Sequence, residues 1–492
     1  MSPQSLENTL RSLWRHGTLV KDRPYRQVWR FEHDGRAYFL KFYPRGGVGD
    51  RLRRLFRGSP AMAEFLRLQW LQKARVPAPR GVATLMGFRL NDRMGDALIL
   101  EAIEPAVPLD RHLNAARLEG RILPDHRALV EQAIALIERL GRGGLGHRDL
   151  HPGNFLLSEG KLYLLDAYAV RRSGLRVRDV VFLGQSARPF VHNSDLLRGW
   201  KRLSPGQPFP RAARHNRPGL RKQLSRIRGE NRYFGRLAAA GWSGHFFKHA
   251  KYPVRWSAVS RMDIARRDWL EAWPILLGQI QSGQLEIVKQ SSGGQVLAGE
   301  VVLAGRPVPV IVKLAGGKSW RRCISDLVLG SRAARGWRSA WALVFRDIPT
   351  AWPMLVMQRR VAGYPVESLI VFERVAGRNL ACEDLAALPD AARRTLFHRL
   401  GRTLRHIEET GLVQYDPKCH NWIVHHDPVL GPLPVLVDVD GIRRWRPLLL
   451  GQSHDRLRRA VASHRHYRPQ DWADVCLGHP GVDRRIAKKG PP

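Results

Sequence analysis

The chain has 492 residues, 44% apolar and 25% charged, a globular composition with room for two or three domains that each bury a core. Lys and Arg number 82 against 43 Asp and Glu, and the surplus of 39 positive charges asks for an anionic partner: nucleic acid, an acidic membrane surface or a phosphorylated glycolipid. Cys323, Cys382, Cys419 and Cys476 lie far apart with no CxxC pair, which argues against a zinc site or a disulfide framework and fits a reducing cytoplasm.

The N-terminal stretch MSPQSLENTLRSLWRHG lacks the apolar core of a signal peptide, and no apolar run reaches the roughly 20 residues of a membrane-spanning helix. Any membrane contact is therefore expected to be peripheral. Arg paired with Trp or Phe at Arg11–Trp14 and Arg51–Phe56 suits such docking, and suits amphipathic packing equally.

VWRFEHDGRAYFLKFY reads as a hairpin: Val28–His33 alternates, Asp34-Gly35 turns, and Arg36–Tyr43 alternates again. Ala61–Ala74 carries Met62, Phe65, Leu66, Trp70 and Leu71 at helical spacing, and VPAP at Val76–Pro79 stops it. Ala97–Glu104 is a buried strand leading into a connector. A second helix starts near Asp125 and ends in glycines. The loop GHRDLHPGNFLL, Gly146–Leu157, comes next, and Lys161–Val170 is a further strand. The basic stretch from about Asp195 to Ser260 reads as helical extension plus linker.

The order of elements then repeats. GQLEIVKQ and VLAGEVVLAGRPVPVIVKLAGG give three short strands, a helix-like segment runs from about Ile324 to Leu343, and SLIVFERVAG, Ser368–Gly377, is a strand. Leu396, Leu400, Leu404 and Ile407 share one helix face. The loop VQYDPKCHNWIV, Val413–Val424, precedes the strand Val435–Gly441. The tetrapeptide LGQS follows in both halves, at Leu183–Ser186 and Leu450–Ser453, which favours a duplicated domain.

Phosphoryl transfer needs a cation on the phosphates, metal ligands, and a carboxylate to take the acceptor's proton. Kinase-type sites use a strand lysine, a helix glutamate holding it, a loop Asp with Asn five residues on, and an Asp ending a nearby strand. The first half offers Lys41, Glu64, Asp149, Asn154 and Asp166, the last 17 residues after Asp149. The second offers Lys313, Asp416, Asn421 and Asp438. Neither half has a GxGxxG: no glycine lies between Lys21 and Phe31, and the second half has only SSGG at Ser291–Gly294. Gln414-Tyr415-Asp416 replaces His-Arg-Asp. The helix after Lys313 has no good glutamate, Asp326 being a distant substitute, while Lys418 is placed to stabilise a transferring phosphate. Cys419, inside the second loop, is read as a bystander.

HRDLHPGN followed by LLDAY resembles the bacterial lipopolysaccharide core kinases, which phosphorylate heptose or Kdo sugars of the inner core. SRAARGWRSAWAL, IPTAWP and LVDVDG in the second half resemble the same superfamily. The likeness covers roughly Val28–Ser186 and Leu285–Ser453. It implies an α+β fold of two tandem protein-kinase-like bilobal domains, each with a small β-rich N-lobe and a larger helical C-lobe, spanning 1–275 (including the basic extension) and 276–492. It also implies ATP and Mg2+ as cofactors. Lys41 and Lys313 would hold the phosphates, Glu64 would orient Lys41, and Asp149 and Asp416 would be catalytic. Asn154, Asp166, Asn421 and Asp438 would bind metal. His147 and Arg148 would brace the loop, and Asp179 would either anchor it or lie on the surface. The implied acceptor is an anionic glycolipid, lipopolysaccharide core, met at the cytoplasmic face of the inner membrane; nucleic acid is not expected. A kinase of another acceptor, and a non-catalytic binding protein at anionic membranes, remain open. So does the second half, as active kinase, degenerate kinase or scaffold.

Overall fold

In the computed structural model the described residues are 17–479, except 24, 48–49, 51, 53, 55, 57, 91, 120–122, 189, 210–222, 292–293, 316–325, 327–328 and 445–446. Arg11–Trp14, Arg51, Cys323 and the centre of SSGG lie outside them. The chain divides into two compact mixed α/β units, residues 1–209 and 210–492. The division expected near 275 therefore falls earlier, and most of the supposed linker belongs to the second unit.

The first unit begins with β1 (Thr18–Arg23), β2 (Arg26–His33) and β3 (Arg36–Pro44). Asp34 and Gly35 both take positive φ, 49° and 68°, which is the backbone of a two-residue turn whose twist matches the strands. Helix α1 (Pro60–Lys73) follows Ser59, with proline at its first position, where a missing N–H costs nothing. It buries Ala61, Glu64, Leu68 and Leu71. Of the expected apolar stripe, Leu71 is buried but Met62 and Leu66 are exposed, because the helix is turned to put Glu64 inside. Then come β4 (Gly81–Leu90) and β5 (Arg93–Glu101), completing an antiparallel sheet of order β1-β2-β3-β5-β4.

The helical part contains β6 (Val107–Pro108), α2 (Leu109–Glu119), α3 (His126–Arg142) and β7 (Gly146–His147), then β8 (Phe155–Ser158), β9 (Lys161–Leu164) and β10 (Val170–Arg171). The strand expected through Val170 thus ends at Leu164. Helices α4 (Val177–Ala187) and α5 (Asn193–Leu203) close the unit. Leu129, Leu136, Ile137 and Leu140 of α3 join Leu145, Leu150, Phe155 and Leu164 in one apolar cluster beneath the loop.

The second unit opens with β11 (Phe234–Ala239) and β12 (Trp242–Phe247), a hairpin where linker was expected, then α6 (Arg266–Gln281). Next are β13 (Glu286–Ser291), β14 (Gly294–Leu303), β15 (Arg306–Ala315), α7 (Arg332–Val344), β16 (Pro353–Val361) and β17 (Tyr364–Glu373). The described part of α7 starts later than the segment expected from Ile324. The sheet order is β11-β12-β16-β17-β15-β14-β13, so β13 to β17 repeat the order of β1 to β5 and the hairpin widens the sheet. The register repeats too. Lys41 opposes Leu98 and Lys313 opposes Ile370; 313 − 41 and 370 − 98 are both 272. Beyond β18 (Arg378–Asn379) lie α8 (Asp390–Glu409), β19 (Leu412–Gln414), β20 (Trp422–Asp427), β21 (Gly431–Leu436), β22 (Ile442–Arg444), α9 (Pro447–Ala462) and α10 (Pro469–Gly478). Leu396, Leu400, Leu404 and Ile407 are all buried, as their spacing requires. Among the described residues no helix is long and apolar enough to cross a membrane.

Candidate active site

Lys41 projects from β3 toward α1, and its Nζ donates to Glu64 Oε1 at 2.6 Å. Tyr43, on the same strand face two residues on, donates its hydroxyl to the other carboxylate oxygen. Glu64 is 1% exposed. Burial alone would push its carboxyl up; the charge of Lys41 and the bonds from Lys41 and Tyr43 outweigh burial and hold it below the usual range. Burial, together with that carboxylate, lifts the Tyr43 hydroxyl well above its ordinary value. Arg26 Nη1 lies 3.6 Å from Asp166 Oδ1, and the guanidinium also interacts with the Tyr43 hydroxyl. Sequence reasoning missed Arg26 and Tyr43; the period-2 relation of Tyr43 to Lys41 was the available signal.

The loop Gly146–Leu157 is fixed from behind. β7 pairs with β10, setting His147 opposite Val170. Buried His147 accepts from the Asp149 N–H at Nδ1, 3.3 Å, so its proton sits on Nε2, 3.3 Å from the Leu165 carbonyl. Burial keeps this imidazole below its ordinary pKa against the pull of Asp166, which suits a neutral brace. Asn154 Nδ2 donates to the Asp149 carbonyl at 2.7 Å, and Leu165 N–H donates to the Asn154 carbonyl at 2.8 Å. Asp149 Oδ2 lies 3.5 Å from His151 Nε2, a neighbour the sequence reading did not single out. Asp166 takes a left-handed backbone, φ 56° and ψ 53°, uncommon outside glycine. Asp179 is buried, pairs with Arg171 and caps α4 through the Arg176 N–H, so it is not a surface residue. Arg171 lies on the strand opposite Gly146, which ties Asp179 to the root of the loop.

The second unit builds the same loop from different side chains. Asn421 Nδ2 donates to the Asp416 carbonyl at 2.7 Å, and Val437 N–H to the Asn421 carbonyl at 2.9 Å. Gln414 stands where His147 does, donating to the Asp438 carbonyl at 2.9 Å. Among the described residues no glutamate pairs with Lys313. Its Nζ donates to Asp438 Oδ1 at 3.0 Å and to the Val437 carbonyl at 3.2 Å. That proximity, against burial, holds Asp438 below the usual range. Asp326 is no substitute partner: it pairs with Arg335 at 2.9 Å. Asp416 has Lys418 at 3.4 Å and Arg456 at 3.9 Å. Cys419 is buried, its thiol donates to the Ala460 carbonyl, and burial raises it to about 11, which removes it as a nucleophile.

The first unit therefore presents a clamped strand lysine and a braced Asp–Asn loop. The profile of the Lipopolysaccharide kinase (Kdo/WaaP) family matches residues 12–180, wholly within the first unit. The chain is 32% identical over 180 residues to the 3-deoxy-D-manno-octulosonic acid kinase of Stenotrophomonas maltophilia K279a, covering 35% of this chain and 67% of that one. It is 28% identical over 152 residues to the lipopolysaccharide core heptose(I) kinase WaaP of Pseudomonas aeruginosa PAO1, covering 30% of this chain and 56% of that protein. The chain thus spans about half to two thirds of the length of such relatives. A solved structure, WaaP in complex with acyl carrier protein, aligns with TM-score 0.33 and 24% identity over 45% of this chain and 90% of that one. The chain belongs to the lipopolysaccharide kinase (Kdo/WaaP) family.

Proposed function

We propose that the first unit is an ATP-dependent phosphotransferase acting on a sugar hydroxyl of the lipopolysaccharide inner core, a heptose or Kdo, in a kinase-like two-lobed arrangement. The observation that carries this reading is the Lys41–Glu64 contact standing with the Asp149–Asn154 loop in a chain of this family. Lys41, held at one place by Glu64, would grip the ATP phosphates. Asp149 would orient the sugar hydroxyl and accept its proton, a role worth about 10²–10⁴ in rate. His147 would keep the loop in register without taking part in the chemistry.

Asn154 and Asp166 would hold magnesium. Their fit rests on donor chemistry: the Asn154 amide nitrogen is spent on Asp149, leaving its oxygen, and Asp166 adds carboxylate oxygens, the hard ligands that ion takes. Magnesium, when bound, neutralises charge on the phosphates. Lys and Arg in excess suit a phosphorylated acceptor at the cytoplasmic face of the inner membrane, met as a peripheral protein.

The test is transfer by the full chain. Wild type and Asp149→Ala are incubated with ATP, magnesium and core glycolipid from a strain lacking the gene, and the glycolipid is weighed by mass spectrometry. Added phosphate that disappears with Asp149→Ala supports the reading. Transfer that survives the substitution sinks it.

A further inference from the structure

We infer that the second unit holds the phosphate chain of a nucleotide without a divalent cation and transfers none of it. The inference rests on the reading of Lys41 as the phosphate-holding lysine of the first unit.

The shared register identifies what has changed. Leu164 N–H bonds to the Pro77 carbonyl and Leu436 N–H to the Pro349 carbonyl, so the 272-residue offset that links Lys41 to Lys313 also links Asp166 to Asp438. Ser59 precedes α1 and Ser331 precedes α7 at that same offset, which puts Gly336 in the place of Glu64. Tyr43 becomes Ala315. Val28 opposes Lys41 and Val296 opposes Lys313, so Arg26, two residues before Val28, becomes Gly294. Glu64 and two of the side chains around it are thus gone together.

Among the described residues of the second unit, no glutamate bonds Lys313, whose partners are Asp438 and the Val437 carbonyl. Helix α7 is held by aromatic packing: Trp341 meets Phe234 at 4.7 Å and Phe247 at 5.6 Å on the added hairpin, and Trp352, just before β16, at 5.5 Å between ring centroids. Gly336 faces Asp440, whose Oδ1 would lie 3.7 Å from an added Cβ, so a carboxylate introduced there meets another.

The carboxylates of the second unit's loop instead have cations of the chain beside them. Lys313 takes Asp438, Arg332 takes Asp440 at 2.6 Å, and Lys418 and Arg456 take Asp416. Those cations outnumber those carboxylates by one. A cleft in which an ammonium already sits on the metal-binding aspartate gains little from a divalent ion, and its excess charge favours an anion. Lys313 keeps the strand position from which Lys41 would reach phosphate, and can exchange Asp438 for it. Lys418 and Arg456 both stand beside Asp416 Oδ1, so an acceptor hydroxyl would compete with them for that oxygen.

Equilibrium dialysis of labelled ATP against the full chain, in magnesium or in excess EDTA, tests this. One nucleotide per chain should persist in EDTA, with a second bound only in magnesium. Lys313→Met should weaken the EDTA-resistant nucleotide about tenfold to hundredfold, as loss of a charge-assisted contact does. Lys313→Arg should retain it, and a thermal melt of each variant separates lost binding from lost folding. Binding that vanishes entirely in EDTA overturns the proposal, as does EDTA-resistant binding that a folded Lys313→Met protein retains in full. Silence is read separately, from Asp149→Ala with magnesium, ATP and core glycolipid. No transfer is expected; transfer that then disappears on adding Asp416→Ala overturns the claim. If wild type transfers nothing, the reading of the first unit falls, while the EDTA arm still decides the second.

Discussion

Asn154 donates its side-chain amide to the main-chain carbonyl of Asp149 at 2.7 Å, and Asn421 makes the same bond to Asp416 at the same length. The spacing of five residues is what lets one side chain close the turn that carries the other. The bond does more than shape the turn: it fixes which face of the amide is left for a ligand. Asn154→Ala should therefore lower kcat at least tenfold, by loosening Asp149 and removing the proposed oxygen ligand together. Asn154→Asp should be no better, because its carboxylate faces the Asp149 carbonyl with no proton to donate. Steady-state kinetics as a function of magnesium checks both; a wild-type kcat in Asn154→Ala overturns the assignment.

Glu64 gives the first unit a pH dependence with a definite sign. Its folded pKa lies below the ordinary 4.5, so its ion pair contributes fully above pH 4.5 and is lost as pH falls through the lower, folded value. At neutral pH Glu64→Gln should cost the first unit about 3 kcal/mol, since it leaves Lys41 without its buried partner. Thermal melts of wild type and Glu64→Gln should differ by a constant amount from pH 7 to 5 and converge below 4.5. Melting points that run parallel into acid would remove Glu64 as the titrating group.

How much of this was legible differs by residue. Lys41, Glu64 and the Asp–Asn loops stand at fixed spacings within strongly patterned elements, so the sequence locates them, and the Lys41 and Glu64 side chains meet in the first unit. Glu64 was recognisable because it interrupts an apolar helix. The hairpin of β11 and β12 was not, because Ala240-Gly241 makes its turn where Asn-Gly or Asp-Gly would have announced one, and the surrounding basic residues read as linker. The partner of Lys313 was hidden for another reason: once the helix glutamate is absent, only the folded distance to Asp438 says where the charge goes. Arg26 is similar, since its charge partner Asp166 comes from a distant part of the chain.

Asp179 and Arg171 are both buried, at 4% and 7% exposure, and each is the other's charge partner. Asp179→Ala should cost about 3–5 kcal/mol, because a guanidinium would be stranded without compensation. Replacing both residues with alanine should cost less than Asp179→Ala alone, the stranded charge having gone with its partner. Chemical denaturation of the two variants measures this. If the costs simply add, the pair is not coupled.

Gly146 makes the last case, where a main-chain contact sets the position of the loop. A Cβ on Gly146 would stand 2.1 Å from the Gly174 carbonyl oxygen and 3.0 Å from Arg171 Nη2. Gly174 N–H bonds to the Gly144 carbonyl, so that wall is itself fastened and cannot yield cheaply. Gly146→Ala must then push β7 off β10 and carry His147, and with it Asp149, out of place. We expect about 1–3 kcal/mol of destabilisation, and a fall in kcat larger than any change in the KM for ATP, because Lys41 and Glu64 lie on other elements. Denaturation with steady-state kinetics separates the two effects. An unchanged kcat would mean that the loop tolerates displacement and that Asp149 is not the group whose position limits turnover.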